Sequence, residues 1–538
     1  MLGTNVASDL DLTSIPSSIT CATSWGIDTV RTRLETPTHS ISELKRRQLP
    51  LLALRHTDAI ATTAMIHSEL KHAVAPHQDI VSDLCKCKDS EDSRIEESTT
   101  QILWSPTSLL APLNEHSTII NGLVTWKTLI VPIITVLMPI LAVLVPFFLL
   151  RFIHGSQDVQ VNGYIKHVKT VILKQISMPS FLRPRHDGDV VGHLFEYLFL
   201  GLTIATFGSG IWNQVQAALH LRTIAADLRS RGIGIYSLVQ SAKRCLTLLE
   251  SLPSFLQKAL RHIISEGKSV LADFSDIPEG LAAFGTVWNN PTPLRSLRNW
   301  LGVLDAHIAL AMTDSICFPT FSEKQVPLRL HNVYHPALGK GAVRNSVVWN
   351  QNHVLLTGPN RGGKSTFCKS VGLSIVYAQT WGIAWADRMH LQPFVGIETA
   401  LAPADVLGKL SLFEAEIEFA KGVLNKCNDL CKSGPIFVMM DEIFHSTNAH
   451  DGVAASKIFL DSLYTIPQVY SIISTHYQQL VTDFSAKTEA WAVQATEQEN
   501  GLLHYSYRVE KGVSDKSSVM EILKERGLVP DGPDKTAA

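Results

Sequence analysis

Two regions of the chain, 55–127 and 213–290, place apolar residues at helical spacing, and the pattern predicts helices there. Val215 to Arg231 and Leu238 to Leu252 are the clearest, with Pro253 closing the second. Thr38 and Ser40 ahead of Ile41-Ser42-Glu43-Leu44 supply a helix start. Lys86 to Thr100 is charged and polar and predicts a loop. Elsewhere the apolar pattern has no polar interruption. Thr128–Leu150 contains no charged side chain, and its prolines at 132, 139 and 146 recur near one helix face. Such a stretch is long enough for a hydrocarbon core of roughly 30 Å, and proline is tolerated where neighbours satisfy the freed carbonyls.

A second apolar stretch, 190–212, carries His193 and Glu196 near one end, and its Gly201, Gly208 and Gly210 would allow close helix packing. Together the two predict a transmembrane helical hairpin over 128–212, made of 128–150 and 190–212. Arg151, Lys166, Lys169, Lys174, Arg183 and Arg185 all fall in the connection, which the positive-inside tendency would place on the same side as the rest of the chain. A hairpin dipping into one leaflet satisfies both demands.

Short apolar runs further on end in reactive groups. Val354-Leu355-Leu356-Thr357 reads as a strand and leads into Gly358-Pro359-Asn360-Arg361-Gly362-Gly363-Lys364-Ser365, then a helical run from Thr366. This is the pattern G-x-x-x-x-G-K-[ST] in the setting it requires. Its glycines let backbone N–H groups close around phosphates, Lys364 neutralises the β- and γ-phosphates, and Ser365 offers a hydroxyl to Mg²⁺. Ile436 to Met440 is an apolar strand ending in Asp441-Glu442, where Asp441 suits Mg²⁺ and Glu442 the attacking water. A helix-capping role for that pair is the alternative. Ser471 to Thr475 is another such strand, ending in His476, which fits either a γ-phosphate contact or a structural role.

GPNRGGKSTF, MMDEIFHSTNAHDGVA and STHYQQL, in this order and spacing, resemble the ATPase domain of the MutS family, the mismatch-repair members of the ABC-type ATPases. His335-Pro336 and the late Gly512-Val513-Ser514-Asp515-Lys516-Ser517 extend the resemblance over residues 330–522. Leu10-Asp11-Leu12, Trp25-Gly26 and Leu304-Asp305 resemble the two ends of that family's helical core. The resemblance implies an α/β P-loop (ABC-type) ATPase domain joined to a mostly α-helical core/lever domain, here with the membrane hairpin where lever tips would be. It implies ATP and Mg²⁺, held by Gly358 through Thr366, with Asn360 contacting nucleotide and Ser365 and Asp441 holding the metal. It implies a homodimer, or a heterodimer with a related subunit, in which Ser411 starts a helix and reaches the γ-phosphate bound by the other subunit. Read alone, Ser411 fits a helix cap equally well. Ser446, Thr447 and Asp451-Gly452 resemble the loop that crosses that interface. Arg361 stands in place of the family's methionine, and Phe444-His445 in place of its Gly-Arg, which leaves rate and coupling open.

The implied order is a first part of the core (1–60), lever-like helices with a polar loop (61–127), the hairpin (128–212), the lever return with the remaining core (213–336) and the ATPase domain (337–538). No stretch ahead of the core suits a mismatch-reading domain, and little follows Glu525-Arg526-Gly527-Leu528 to form a dimer clasp. A formal charge of -2 gives no global basic excess, which does not exclude a local one. The 8 cysteines lack metal or disulfide spacing and predict reduced thiols. The first residues lack a secretory pattern. Three functions compete: a MutS-type ATPase acting on DNA, a membrane-embedded remodelling or transport-associated motor, and a nucleotide-dependent scaffold. The expected partners are DNA by resemblance and the bilayer through 128–150 and 190–212. The expected location is at a membrane, with the ATPase domain in the cytosol or nucleoplasm.

Overall fold

Strand pairing organises the second half of the chain in this computed structural model, which describes residues 1–14, 16–86, 93–154, 161–166, 190–323, 328–401, 412–498, 503–526 and 528. The fold is mixed α/β and mostly helical. A four-stranded sheet of β1 (Thr320–Phe321), β2 (Leu328–Val333), β3 (Asn345–Val348) and β5 (Arg388–Leu391) has the order β1-β5-β2-β3. A six-stranded sheet follows, of β4 (His353–Thr357), β6 (Gly396–Ala400), β7 (Ile436–Met440), β8 (Val469–Ser474), β9 (Thr488–Glu497) and β10 (Leu503–Lys511). Its order is β10-β9-β4-β8-β7-β6, parallel throughout except for β10. Every residue of β4 and β7 is buried, as continuous apolar runs must be when helices cover both faces of a parallel sheet.

The chain forms two compact units. The first comprises Met1–Ala75, Arg244–Lys268 and Arg298–Ala538 and contains both sheets. Its N-terminal residues extend the larger sheet beyond β6: Gly3 N donates to Ile397 O (2.8 Å) and Ile397 N to Met1 O (3.0 Å). The buried Asp9, in α1 (Val6–Asp9), accepts from Thr399 Oγ1 (2.7 Å) and Leu401 N (3.0 Å). Helices α2 (Ser24–Leu34) and α3 (Ile41–Leu54) pack against α4 (Lys364–Thr380). Ser40 caps α3 by accepting from Glu43 N, as its sequence suggests. Gln48 on α3 donates to Pro319 O (2.9 Å) and Gly382 O (3.0 Å), tying the helix to the segment that follows α4. Asp305, fully buried, holds the start of α2: it accepts from Ala22 N (3.0 Å), Thr23 N (2.8 Å) and Thr23 Oγ1 (2.7 Å). Burial pushes its carboxyl up and those three donors pull it back.

The second unit comprises Pro76–Lys243 and Ser269–Leu297. Residues 93–100, expected as loop, form a short helix, while 87–92 lie outside the described residues. Helical structure is continuous over 117–154, through Ser117–Thr125, a π-helical turn at Trp126–Ile130 and Val131–His154. The π turn ends two residues before Pro132, and another, Leu70–Val74, ends two residues before Pro76. A wider turn relieves the clash between each proline ring and the preceding turn's carbonyl. The hydroxyls of Thr128 and Thr135 donate to Val124 O (2.7 Å) and Val131 O (2.9 Å), which satisfies both within the helix.

Two expectations about the apolar stretches change. Among the described residues one helical stretch, Ser117–Met138, is long and apolar enough to cross a membrane, and it starts earlier than the expected 128–150. Residues 190–212 open a single helix, Val190–Glu250, in which the two shorter helices expected after 212 are merged. Glycines in that run do not break it because a helix tolerates each at a cost of about 1 kcal/mol. Among the described residues nothing lies within 4 Å of where a side chain on Gly201, Gly208 or Gly210 would begin. The connection that would close a hairpin, 155–160 and 167–189, lies outside the described residues.

Asp305→Ala would leave the amides of Ala22 and Thr23, the second of them buried, without this acceptor. We expect it to destabilise the first unit by about 2–4 kcal/mol, read as a lowered thermal midpoint in calorimetry.

Candidate active site

Parallel strands carry their C-terminal ends to one edge of a sheet, and here three adjacent strands deliver the reactive groups to that edge. β4 leads into the loop Gly358–Gly363, β7 into Asp441 and Glu442, and β8 into Thr475 and His476. The register pairs Leu356 with Ser474 and Met440 with Ile473, so the three ends are level. In the loop, Gly358 (φ +149°), Arg361 (φ +64°) and Gly363 (φ +98°) turn the backbone back on itself before α4 begins.

Lys364 is 4% exposed. Its Nζ donates to Gly358 O (3.1 Å), Pro359 O (3.4 Å) and Asn360 Oδ1 (3.5 Å) and stands 3.5 Å from Glu442 Oε1. The Asp441 carboxylate receives Ser365 Oγ on one oxygen and Ser474 Oγ on the other. Glu442 N donates to Ser474 Oγ (2.9 Å), and His476 Nε2 lies 2.6 Å from Glu442 Oε1. Lys364, Ser365, Asp441, Glu442 and His476 thus form one connected group. The hydrogen bond from His476 holds the Glu442 carboxyl down at about 2; partial burial opposes this, and the charges of His476 and Lys364 reinforce it.

Clefts flank the loop on two sides. One, of about 350 Å³, is lined by Gly358, Pro359, Asn360, His476 and the segment Ser514–Ser518. Ser514 N donates to Thr357 Oγ1 (3.0 Å), which fixes that late segment beside the loop. The other, of about 340 Å³, is lined by His335, Arg361, Gly363, Thr366, Phe367 and Tyr507. A flat aromatic wall beside a phosphate-type loop suits a nucleobase.

Ser365 and Asp441 supply hard oxygen donors at neighbouring positions, the donor type Mg²⁺ takes from protein when phosphates and water complete its shell. Among the described residues no group of three His, Cys, Asp or Glu could hold a metal by itself, and the seven described cysteines form no disulfide with one another.

Ser411 lies outside the described residues, and α5 (Leu412–Leu430) starts directly after it. Thr366 takes its place at the head of α4. Gly452, in α6 (Ala449–Thr465), sits where any side chain would meet Tyr477 Oη at 2.4 Å and Phe444 O at 2.7 Å. Arg361 forms an ion pair with Glu525 on α7 (Val519–Glu525). Sequence reasoning missed Ser474, Tyr507, Glu416 and Glu525. A hydroxyl one strand away from an acid is a weak signal until the β7–β8 register is known.

Residues 354–531 match the family model for MutS domain V. Over 241 residues the chain is 31% identical to the DNA mismatch repair protein MutS of Thermus thermophilus, covering 44% of this chain and 28% of that protein. Residues 354–531 therefore carry a domain of the MutS family. The DNA mismatch repair proteins MutS of Petrotoga mobilis (27% over 246 residues; 44% of this chain, 29% of that one) and of Streptococcus pyogenes serotype M5 (27% over 252; 45% and 29%) are similar over a comparable length. The chain therefore matches less than a third of the length of these MutS relatives. The domain V match contains Lys364, Asp441, Glu442 and His476.

Because the folded pKa of Glu442 lies below its ordinary 4.5, the ionised group contributes stability above that value, and the contribution is lost as pH falls through about 2. His476→Ala removes the main cause. We expect the Glu442 pKa to rise toward 4.5, read by carboxyl ¹³C NMR titration, with acid unfolding beginning at higher pH.

Proposed function

We propose that residues 337–538 bind ATP with Mg²⁺ and hydrolyse it, and that the chain does so as a homodimer or with a related subunit. The observation that supports this most directly is the connected group of Lys364, Ser365, Asp441, Glu442 and His476 at one sheet edge. Lys364, poised at the loop carbonyls, would exchange them for the phosphate oxygens, and the amides of Gly358–Gly363 would close around the same charge. Ser365 and Asp441 would hold Mg²⁺, which supplies positive charge to the phosphates when bound. Glu442 is ionised at neutral pH, so it can accept a proton from water, and His476 keeps it oriented. Tyr507 and the cleft beside it would receive the base. By family resemblance, each site is completed by the partner's Ser411, and the helical regions act as levers.

DNA binding in mismatch repair is the first reading of what the ATPase serves, since the similar proteins are named for that process. A second reading is a membrane-embedded motor, with the ATPase domain in the cytosol or nucleoplasm. It is supported by Ser117–Met138 (mean hydropathy 1.7) and by apolar side chains exposed along the same helical region, Leu129, Met138 and Phe148 among them.

Glu442→Gln is expected to leave ATP binding intact while lowering turnover about a hundredfold or more, measured by steady-state hydrolysis beside equilibrium nucleotide binding. Undiminished turnover would remove Glu442 from its assigned role. Binding to mismatched or branched DNA that weakens steeply with salt supports the repair reading. Turnover stimulated by lipid vesicles without DNA binding, together with resistance to carbonate extraction from cells, would replace it with the membrane reading.

A further inference from the structure

The turn that presents Glu442 is conformationally costly. Glu442 (φ +51°) and Phe444 (φ +54°) both occupy the left-handed region, which costs a non-glycine residue on the order of 1 kcal/mol or more. The family resemblance expects Gly-Arg at 444–445, a residue at ease with positive φ followed by a permanent cation. This chain has Phe-His, so its turn must be held by contacts.

Those contacts converge on Glu416, from the second turn of α5, whose side chain is 17% exposed. Its Oε1 lies 3.1 Å from His445 Nδ1, and its Oε2 accepts from Ser446 Oγ at 2.8 Å. His445 Nδ1 also lies 2.9 Å from Glu442 O. Both partners of Nδ1 are acceptors, so this nitrogen carries the hydrogen and shares it between the Glu416 carboxylate and the Glu442 carbonyl. Phe413 of α5 meets Phe444 edge-on, with ring centroids 6.2 Å apart, and Tyr477 Oη donates to Phe444 O at 3.3 Å. One carboxylate thereby grips two consecutive residues of the turn, and one of these grips the backbone of Glu442.

We propose that Glu416 is a positioning residue for Glu442, acting through His445 to hold the turn that aims the Glu442 carboxylate at Lys364 and His476. This rests on the hydrolysis reading above. Glu416 touches neither Lys364 nor the phosphate loop, so its removal should act on turnover and leave nucleotide capture alone. A purely structural role would lower both together.

The test uses the full chain, with hydrolysis measured against ATP concentration, binding of a fluorescent ATP analogue, and ¹⁵N NMR of the His445 ring. Glu416→Ala is expected to lower kcat about tenfold with KM changed less than about threefold, and to release the hydrogen of His445 from Nδ1. His445→Ala should do the same, and the double variant should lose no more than either single one. His445→Arg, which keeps a donor to both acceptors, should retain most of the turnover. Should Glu416→Ala not fold, Glu416→Gln keeps the shape while removing the charge, and a smaller loss in kcat alone is expected. Unchanged kcat in Glu416→Ala, multiplying losses in the double variant, or a His445 Nδ1 signal indifferent to Glu416 would each overturn the proposal. An unmodified chain that shows the Nδ1 signature but hydrolyses no ATP would overturn the hydrolysis reading instead.

Discussion

The parallel register of β4, β8 and β7 is the constraint on which the site depends. Each strand is too short and too apolar to carry chemistry by itself, yet each ends in a polar residue or loop. Pairing them in parallel sets Lys364, Asp441 with Glu442, and His476 on one edge, within direct reach of each other. The Asp441 carboxylate then takes a hydroxyl from each side, from Ser365 and from Ser474. Any slip of one residue between β7 and β8 would turn Ser474 to the opposite face and break that pairing.

Around this edge the chain uses contacts of long sequence separation to fix what local propensity cannot. Asp9 holds the end of β6, Asp305 holds the start of α2, and Gln48 ties α3 to the segment after α4. Each is a buried or half-buried polar group with its partners supplied, which is the condition under which burial is tolerated. The helix that follows the Gly358–Gly363 loop is thus anchored at both ends, at its start by that loop and at its finish by the N-terminal helices. The turn after β7 has no such length of helix to stabilise it and relies on Glu416, His445 and Tyr477.

The second unit is built on another principle. Helical structure runs without a break over 117–154, large apolar side chains such as Leu129, Met138 and Phe148 reach the surface, and Pro132 is accommodated after a π turn instead of a break. The segment 190–250 likewise runs as one helix, through Gly232 and Gly234, which lie between the two helices expected at 215–231 and 238–252. Helix continuity is cooperative, so a few weak residues inside a long apolar run cost less than ending and recapping the helix.

The residues themselves determined much of the site. A glycine-rich loop between a strand and a helix, an acidic pair after an apolar strand and a histidine after another are local patterns. Residue type and spacing point to Lys364, Ser365, Asp441, Glu442 and His476 as candidates, and the fold brings these five side chains together. Ser40 as a helix cap was legible for the same reason. Ser474, Tyr507, Glu416 and Glu525 were not, because each acquires its role from a partner on a different element, and no local pattern encodes which strands pair or which helix face meets a loop. The exchange of Gly-Arg for Phe-His at 444–445 could be seen in the sequence as a departure. Only the fold supplied its physical meaning, a strained turn held by a carboxylate from a neighbouring helix.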